Sequence, residues 1–329
     1  MRLCIAIPTY NRASQLQIAL EAIQKLKVPR GVKLTIALGN VASTDNTYEL
    51  VKSLSGKKRF FVNNKLNQPE NSNLAMLITK LSNRFDWVWL HGDDDIIIDK
   101  DALIKIKKAA EISDEHSLIL LRNPGVGKEV CGKQFGTLID IAEKVGLHQL
   151  LGWFSQIIIR GNVLLKAFEQ YNVAHFGVKG VEHLLAKKIS PYLHMFSIFN
   201  KLRYNQIYYT NLKLIVEQGS YLEQSIHYAA KRQDRDKSQF RERIFFIAEE
   251  LSNISPNSNK KGYSQNFFWY VNKSFFDLML NIMSEDNKQM SEAKLSLNIK
   301  VKYLYKLFCK TEDRGNLAKF KKTLQSSMD

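Results

Sequence analysis

The chain has 329 residues, 45% of them hydrophobic and 24% charged, which is the balance of a globular protein with a sizeable core and not of a disordered or fibrous chain. Its formal net charge of +16 points to acidic partners: an anionic membrane surface, a nucleic acid or anionic substrates. The three cysteines, Cys4, Cys131 and Cys309, lie far apart with no CxxC pair, so they suit a reducing compartment and argue against a disulfide scaffold or a cysteine zinc site.

Met1 to Pro8 lacks the length and the small-residue site of a secretory signal and reads instead as a first strand. No stretch approaches the roughly 18 apolar residues that span a bilayer. The expectation is a cytoplasmic protein, at most peripheral on the inner face of a membrane.

In chain order, Leu3 to Ile7 is an apolar strand stopped by Pro8, and a polar loop, Thr9 to Arg12, leads into a helix with Leu16, Leu20 and Ile23 at helical spacing. Val32 to Leu38 is a second strand, ending at Gly39-Asn40. A turn over 41–47 opens a helix carrying Leu50, Val51 and Leu54. Arg59 to Val62 is a third strand, followed by a polar loop and a helix through Leu74, Leu77, Ile78 and Leu81. Trp87 to Leu90 is a fourth, wholly apolar strand, and His116 to Leu121 a fifth, with a helix through Leu103 and Ile106 between them. Strands and helices alternating at this spacing predict an α/β fold with a mostly parallel sheet. The loops at 8–12, 39–47, 63–73 and 91–95 all follow strands, so they converge on one edge, where open α/β sheets bind ligands.

The fourth of these loops holds Gly92-Asp93-Asp94-Asp95. Three adjacent carboxylates raise one another's pKa unless a cation neutralises them, and a hard divalent ion is the simplest neutraliser. Extended geometry through the turn would put Asp93 and Asp95 on one side and Asp94 on the other. Taken alone, the triplet reads equally as a metal site or as a solvated turn before a helix that starts near Asp99 and Asp101. Thr9, Asn11, Ser43, Thr44 and Asp45 have the same double reading, as ligands or as caps.

The ordered set Ile7-Pro8-Thr9-Tyr10-Asn11-Arg12, Ala42-Ser43-Thr44-Asp45-Asn46-Thr47, Asn67 with Asn73, and Gly92-Asp93-Asp94-Asp95 resembles the family-2 glycosyltransferases of GT-A fold. The triple-Asp form after a glycine is similar to the abequosyltransferase-like branch. The resemblance covers residues 1–125 well, 125–215 loosely and the remainder hardly at all. It implies a nucleotide-sugar donor and a divalent metal, manganese or magnesium. By position, Pro8, Thr9 and Tyr10 match the loop against base and ribose, and Asn73 matches a polar position in the nucleotide pocket. Asn40 falls where the family has an Asp that pairs with the base; an amide donates as well as accepts, which alters what base is read there. Asp93 and Asp95 match the metal-binding motif, with Asp95 as direct ligand and Asp93 near the ribose; Asp94 completes the cofactor-binding loop. The resemblance further implies a general base at the start of a later helix. The candidates are Glu182, in Gly180-Val181-Glu182-His183, which reads as well as a plain acid at a helix N-terminus, and His194, which reads more readily as a packed or hydrogen-bonded residue.

Residues 122–136 read as an irregular connection that lacks the closing Gly-Lys-Ser/Thr of a P-loop. Leu138 to Leu151 reads as a helix, Ser155 to Ile159 as a strand, Val163 to Phe168 as a helix start and Tyr204 to Thr210 as β-like. Beyond it, 238–254 and 263–283 carry apolar residues at helical spacing, with a linker over 252–262. The tail from Lys294 holds nine Lys/Arg against three Asp/Glu, fit for an anionic membrane surface or for a solvated basic face.

The expected organisation is a GT-A domain over 1–215, with a nucleotide-sugar half (1–125) and an acceptor half (126–215), then a helical basic region over 216–329. The expected activity is metal-dependent, inverting transfer of a sugar to a saccharide or lipid-linked saccharide acceptor. Two alternatives stand beside it: a degenerate GT-A domain that binds nucleotide or sugar without turnover, and a basic nucleic-acid-binding protein. No nucleic-acid motif supports the second, and no nucleic-acid partner is expected.

Overall fold

The computed structural model describes residues 1–41, 43–57, 60–65, 72–112, 115–122, 134–145, 147–168 and 193–218. Glu182, Asn67, Cys131, Cys309 and the whole region from 219 onward lie outside the described residues. The elements run β1 Arg2–Thr9, α1 Ala13–Gln24, β2 Lys33–Val41, α2 Thr47–Ser53, β3 Phe60–Lys65, α3 Ser72–Leu81, β4 Trp87–Leu90, β5 Asp95–Ile97 and α4 Ala102–Glu111. They continue with β6 Leu118–Leu120, β7 Gln134–Thr137, α5 Leu138–Val145, α6 Leu147–Leu151, a 3-10 turn at Phe154–Gln156, β8 Ile157–Arg160, α7 Gly161–Phe168, α8 Leu193–Leu202, β9 Gln206–Tyr209 and β10 Ile215–Glu217.

The main sheet has eight strands in the order β3-β2-β1-β4-β8-β6-β9-β7. Strands β3, β2, β1 and β4 are parallel, β8 runs against both β4 and β6, and β7 runs against β9. Side-chain alternation divides the core in two. Leu3, Ile5, Ile7, Trp87 and Trp89 face α1, α2 and α4, while Cys4, Ala6, Val88 and Leu90 face α3 and α5 to α8. Leu16, Leu20 and Ile23 of α1 are buried, each contributing roughly 2 kcal/mol by removal from water.

Four features depart from the expectation drawn from the sequence. Strand β1 runs through Pro8 to Thr9; pairing with β4 ends at Ala6, so the missing N–H of Pro8 breaks no ladder there. Gln134 to Thr137, read as part of a connection, is an edge strand on β9. The segment 138–151 holds two helices, α5 and α6. Finally, β5 and β10, neither expected as a strand, form a two-stranded antiparallel ladder that pairs Asp95 with Glu217.

Two glycines permit close approaches. A Cβ on Gly161 would lie 2.0 Å from the Phe85 carbonyl oxygen, where α7 starts against the loop before β4. A Cβ on Gly39 would lie 2.8 Å from Leu77 and 3.0 Å from Asn73 Oδ1, so the absent side chain lets α3 seat on the end of β2.

Candidate active site

Three post-strand loops meet at the carboxyl edge of β1, β2 and β4. Register puts Thr9 of β1 beside Asn40 of β2, and Asn40 beside Asn64 of β3. The loop after β1 turns at Asn11, whose φ of +50° is left-handed and suits a short polar side chain. Asn11 Oδ1 accepts from the Thr44 amide at 2.7 Å, and the Asn11 amide donates to Ser43 Oγ at 3.0 Å. The Arg12 amide donates to Thr47 Oγ1, and Asp45 accepts from the amides of Ala13 and Thr47. The two loops are thus laced together. Asp45 serves both helix starts, while Ser43 and Thr44 serve the neighbouring loop instead of capping α2. These amide bonds hold the Asp45 carboxyl below its usual range, against a burial effect that opposes them.

Asn40 is fully buried and its Oδ1 accepts from Ser43 Oγ. Asn73, on α3, donates through Nδ2 to the Thr9 carbonyl, and its Oδ1 is buried without a hydrogen-bond partner. Pro8 and Tyr10 are half-buried on either side of Thr9.

The acid loop is a turn and not an extended run: the Asp95 amide reaches back to the Gly92 carbonyl at 3.4 Å. Asp93 and Asp95 are buried and Asp94 half-buried, yet the pairing expected from alternation does not form. Asp93 and Asp94 share one cation, Arg12, whose Nη1 lies 3.0 Å from Asp93 Oδ1 and 2.6 Å from Asp94 Oδ2. Thr9 Oγ1 donates to Asp93 Oδ2 at 2.7 Å, so this hydroxyl serves the acid loop and does not cap α1. Asp95 turns to the other side, where Trp153 Nε1 donates to its Oδ2 at 2.9 Å and Ser155 Oγ donates to the same oxygen. Ser155 Oγ in turn accepts from the Gly92 amide at 2.7 Å.

Burial pushes the Asp93 carboxyl up to about 6, with Arg12 pulling against it and Asp94 reinforcing it. Burial pushes Asp95 up to about 7, aided by Asp94 and Glu217 and opposed by Ser155 and Trp153. His91, which leads into the loop, is fully buried; burial depresses its pKa to about 4. Its neutral ring bonds the Gly92 carbonyl through Nδ1 at 2.6 Å, which makes Nδ1 the protonated nitrogen. Gln218, 125 positions beyond Asp93 along the chain, closes the loop. Its amide donates to the Asp94 carbonyl at 2.9 Å, and its Nε2 donates to the carbonyls of Gln15 and Asp93.

A divalent ion was the cation expected here, and Arg12 supplies one charge of that kind. Three carboxylates still face one guanidinium, and Oδ1 of Asp94 and of Asp95 receives no hydrogen bond among the described residues. Both oxygens of Asp93 are engaged, by Arg12 and Thr9. Among the described residues no group of three or more His, Cys, Asp or Glu is placed to hold a metal ion by itself. The open oxygens of Asp94 and Asp95 would suit a hard divalent cation only if it drew its remaining ligands from substrate oxygens, as magnesium-type ions commonly do.

His194, the second general-base candidate, sits at the start of α8, buried with its ring edge-on to Phe154 at 5.3 Å. Phe154 lies between Trp153 and Ser155, so His194 is next to the acid loop's supports and not among its carboxylates. Sequence reasoning missed Arg12, Trp153, Ser155, His91 and Gln218 as members of the site. Arg12 carried a signal, being the only cation in the loops 8–12, 39–47 and 91–95.

No protein-family model and no curated relative matches the sequence. Solved structures do. Residues 1–349 of TarS from S. aureus superpose with a TM-score of 0.54 at 15% identity, over 95% of this chain and 82% of that one. The same protein in complex with UDP-GlcNAc gives 0.53 at 16% identity over 95% and 82%, and in complex with UDP 0.52 at 16% identity over 93% and 80%. At such identities the likeness speaks for the fold, and that fold is the glycosyltransferase GT-A fold. Among the described residues no helix is long and apolar enough to cross a membrane.

Proposed function

We propose that this chain is a glycosyltransferase of the family-2 type that takes a nucleotide-sugar donor with manganese or magnesium. It moves a hexosyl or deoxyhexosyl unit onto a saccharide or lipid-linked saccharide acceptor for cell-surface polysaccharide, with inversion. The observation that carries this reading is the meeting of the acid loop with Thr9, Arg12, Asn40 and Asn73 at the switch edge of the sheet. The TarS complexes with UDP and UDP-GlcNAc support a nucleotide-sugar donor on the same fold.

In this reading the base lies over Pro8, Thr9 and Tyr10 beside Asn40, while Asn73 Oδ1 offers a buried acceptor to it or to the ribose. Asp95 and Asp94 hold the metal through their open oxygens, and Asp93 orders the loop beside the ribose. The bound ion supplies positive charge where the departing diphosphate accumulates negative charge. Trp153 and Ser155 fix Asp95, and His91 and Gln218 fix the backbone around it, so that these carboxylates need no rearrangement as donor binds. The acceptor hydroxyl loses its proton to a carboxylate or imidazole, with Glu182 first and His194 second. The division at 215, the abequosyltransferase-like branch, and peripheral seating of the basic 216–329 region on the inner membrane face belong to the same proposal.

Calorimetric titration with UDP-, GDP-, CDP- and dTDP-sugars, each with manganese, tests it. One class is expected to bind and to be transferred or slowly hydrolysed, and Asp95→Ala is expected to lose both. Unchanged activity in Asp95→Ala, or no binding by the wild type, refutes the reading. The ion pairs from Arg12 to Asp93 and Asp94 favour a second reading, a degenerate domain whose acid loop is already charge-paired. Nucleotide binding that is indifferent to manganese, with no turnover on any acceptor, selects it.

A further inference from the structure

The half-satisfied guanidinium of Arg12 carries the inference furthest. Both of its ion pairs run through one nitrogen, Nη1, while Nη2 and Nε make no bond among the described residues. Three N–H donors of a planar fork are therefore left for an anion, and a diphosphate matches that fork as a carboxylate does. The backbone of Arg12 is held, its amide on Thr47 Oγ1 at 2.9 Å and its carbonyl accepting from the Leu16 amide at 2.9 Å. The side chain is 45% exposed, so its head can leave the carboxylates without uncovering any core. What it would leave behind is Asp93 Oδ1 and Asp94 Oδ2, two oxygens suited to a hard divalent ion.

We propose that Arg12 is a resident counter-ion that couples the two ligands of the site: the donor's diphosphate draws the guanidinium off Asp93 and Asp94, and Asp93 Oδ1 and Asp94 Oδ2 then add to the open oxygens of Asp94 and Asp95 that face the metal. This rests on the nucleotide-sugar reading above. Arg12 is a positioning residue for the metal and a binding residue for the diphosphate. It makes metal and nucleotide binding mutually dependent, by the same factor in each direction. It also weakens the hold of the three acids on a divalent ion when no donor is present.

The test is manganese affinity, read from the paramagnetic resonance of free Mn2+ in the full chain, with and without UDP and, in parallel, GDP. In the wild type the favoured nucleotide is expected to tighten Mn2+ binding about tenfold or more. In Arg12→Gln, Mn2+ alone is expected to bind about tenfold tighter than in the wild type, and the nucleotide to add less than about threefold. Arg12→Lys keeps the charge but not the fork; its Mn2+ affinity without nucleotide is expected within about threefold of the wild type, with the nucleotide effect again below about threefold. Unchanged Mn2+ affinity without nucleotide in Arg12→Gln overturns the counter-ion. Full nucleotide coupling in Arg12→Lys overturns the fork, and this second variant carries the test alone if circular dichroism shows Arg12→Gln unfolded. A wild type that binds no nucleotide in any condition refutes the nucleotide-sugar reading, and a rise in bare Mn2+ affinity in Arg12→Gln then still separates the two failures.

Discussion

Asp93 and Asp95 lie two residues apart in one turn, both buried, and the chain stabilises them by different means. On the β1 side, Asp93 meets a full positive charge from Arg12 and one hydroxyl from Thr9. On the β8 side, Asp95 meets only neutral donors among the described residues, the indole of Trp153 and the hydroxyl of Ser155, and faces added negative charge from Asp94 and Glu217. Neutral donors stabilise a carboxylate less than a guanidinium does. Asp95 is accordingly the acid pushed higher, to about 7 against about 6 for Asp93. The difference teaches where the site holds unbalanced charge: at the β8 end, which is where an incoming cation gains most.

The largest effect that can break this comparison is expected at Ser155. Its hydroxyl donates to Asp95 and accepts from the Gly92 amide, and the residue is fully buried. Ser155→Ala leaves a buried carboxylate short of one donor and the half-buried Gly92 amide without an acceptor, a loss of about 2 kcal/mol in urea unfolding at pH 7.5. A cost below about 1 kcal/mol would mean that water replaces the hydroxyl and that Asp95 is less enclosed than its burial indicates.

Next comes Asp95→Asn, with the opposite sign. A carboxyl whose folded pKa is raised takes up a proton on folding, so its contribution is fully present below the ordinary value near 3.8 and is lost as pH rises through about 7. The amide keeps an acceptor for Trp153 and Ser155 and carries no charge. Metal-free Asp95→Asn is therefore expected to match the wild type at pH 4 and to exceed it by on the order of 2 kcal/mol at pH 8, while losing manganese-dependent nucleotide binding. A variant less stable than the wild type at pH 8 contradicts the unbalanced charge. Trp153→Phe removes the other donor but keeps most of the packing; it is expected to cost about 1 kcal/mol and to raise the Asp95 midpoint further, read by carboxyl NMR titration.

The β1 side of the site was far more legible in the sequence than the β8 side. The runs Leu3–Ile7, Val32–Leu38 and Trp87–Leu90 end in polar, glycine-bearing loops, so local pattern alone put residues 9–12, 40–47 and 92–95 on one edge. Arg12 was in plain view there; the expectation of a metal drew attention from the one cation the loops contain. The β8 side has no such pattern. Trp153 and Ser155 lie in a single 3-10 turn and its approach, too short for periodicity, and they reach Asp95 across 58 and 60 residues. Strands β5 and β10 are three residues each and pair across more than a hundred positions, so nothing local marks Gln218 as part of the site. Alternation also failed within the turn, because the reversal at Gly92 groups Asp93 with Asp94 and not with Asp95.

The smallest effect is expected at Thr9, and it tests the comparison most directly because it repeats the Ser155 chemistry on the charged side. Thr9→Val removes one hydroxyl donor from a buried carboxylate at nearly constant volume, as Ser155→Ala does for Asp95, where the Gly92 amide also loses its acceptor. Asp93 keeps its bond to Arg12, whereas Asp95 has no cation partner among the described residues. The loss at pH 7.5 is therefore expected to stay below about 1 kcal/mol, and to grow when Thr9→Val is combined with Arg12→Gln. Thr9→Val alone also moves the Asp93 midpoint upward from about 6, since the hydroxyl stabilises the ionised form. If Thr9→Val costs as much as Ser155→Ala while Arg12 is present, the guanidinium is not what stabilises Asp93. The two sides of the turn would then be equivalent in energy, whatever their partners.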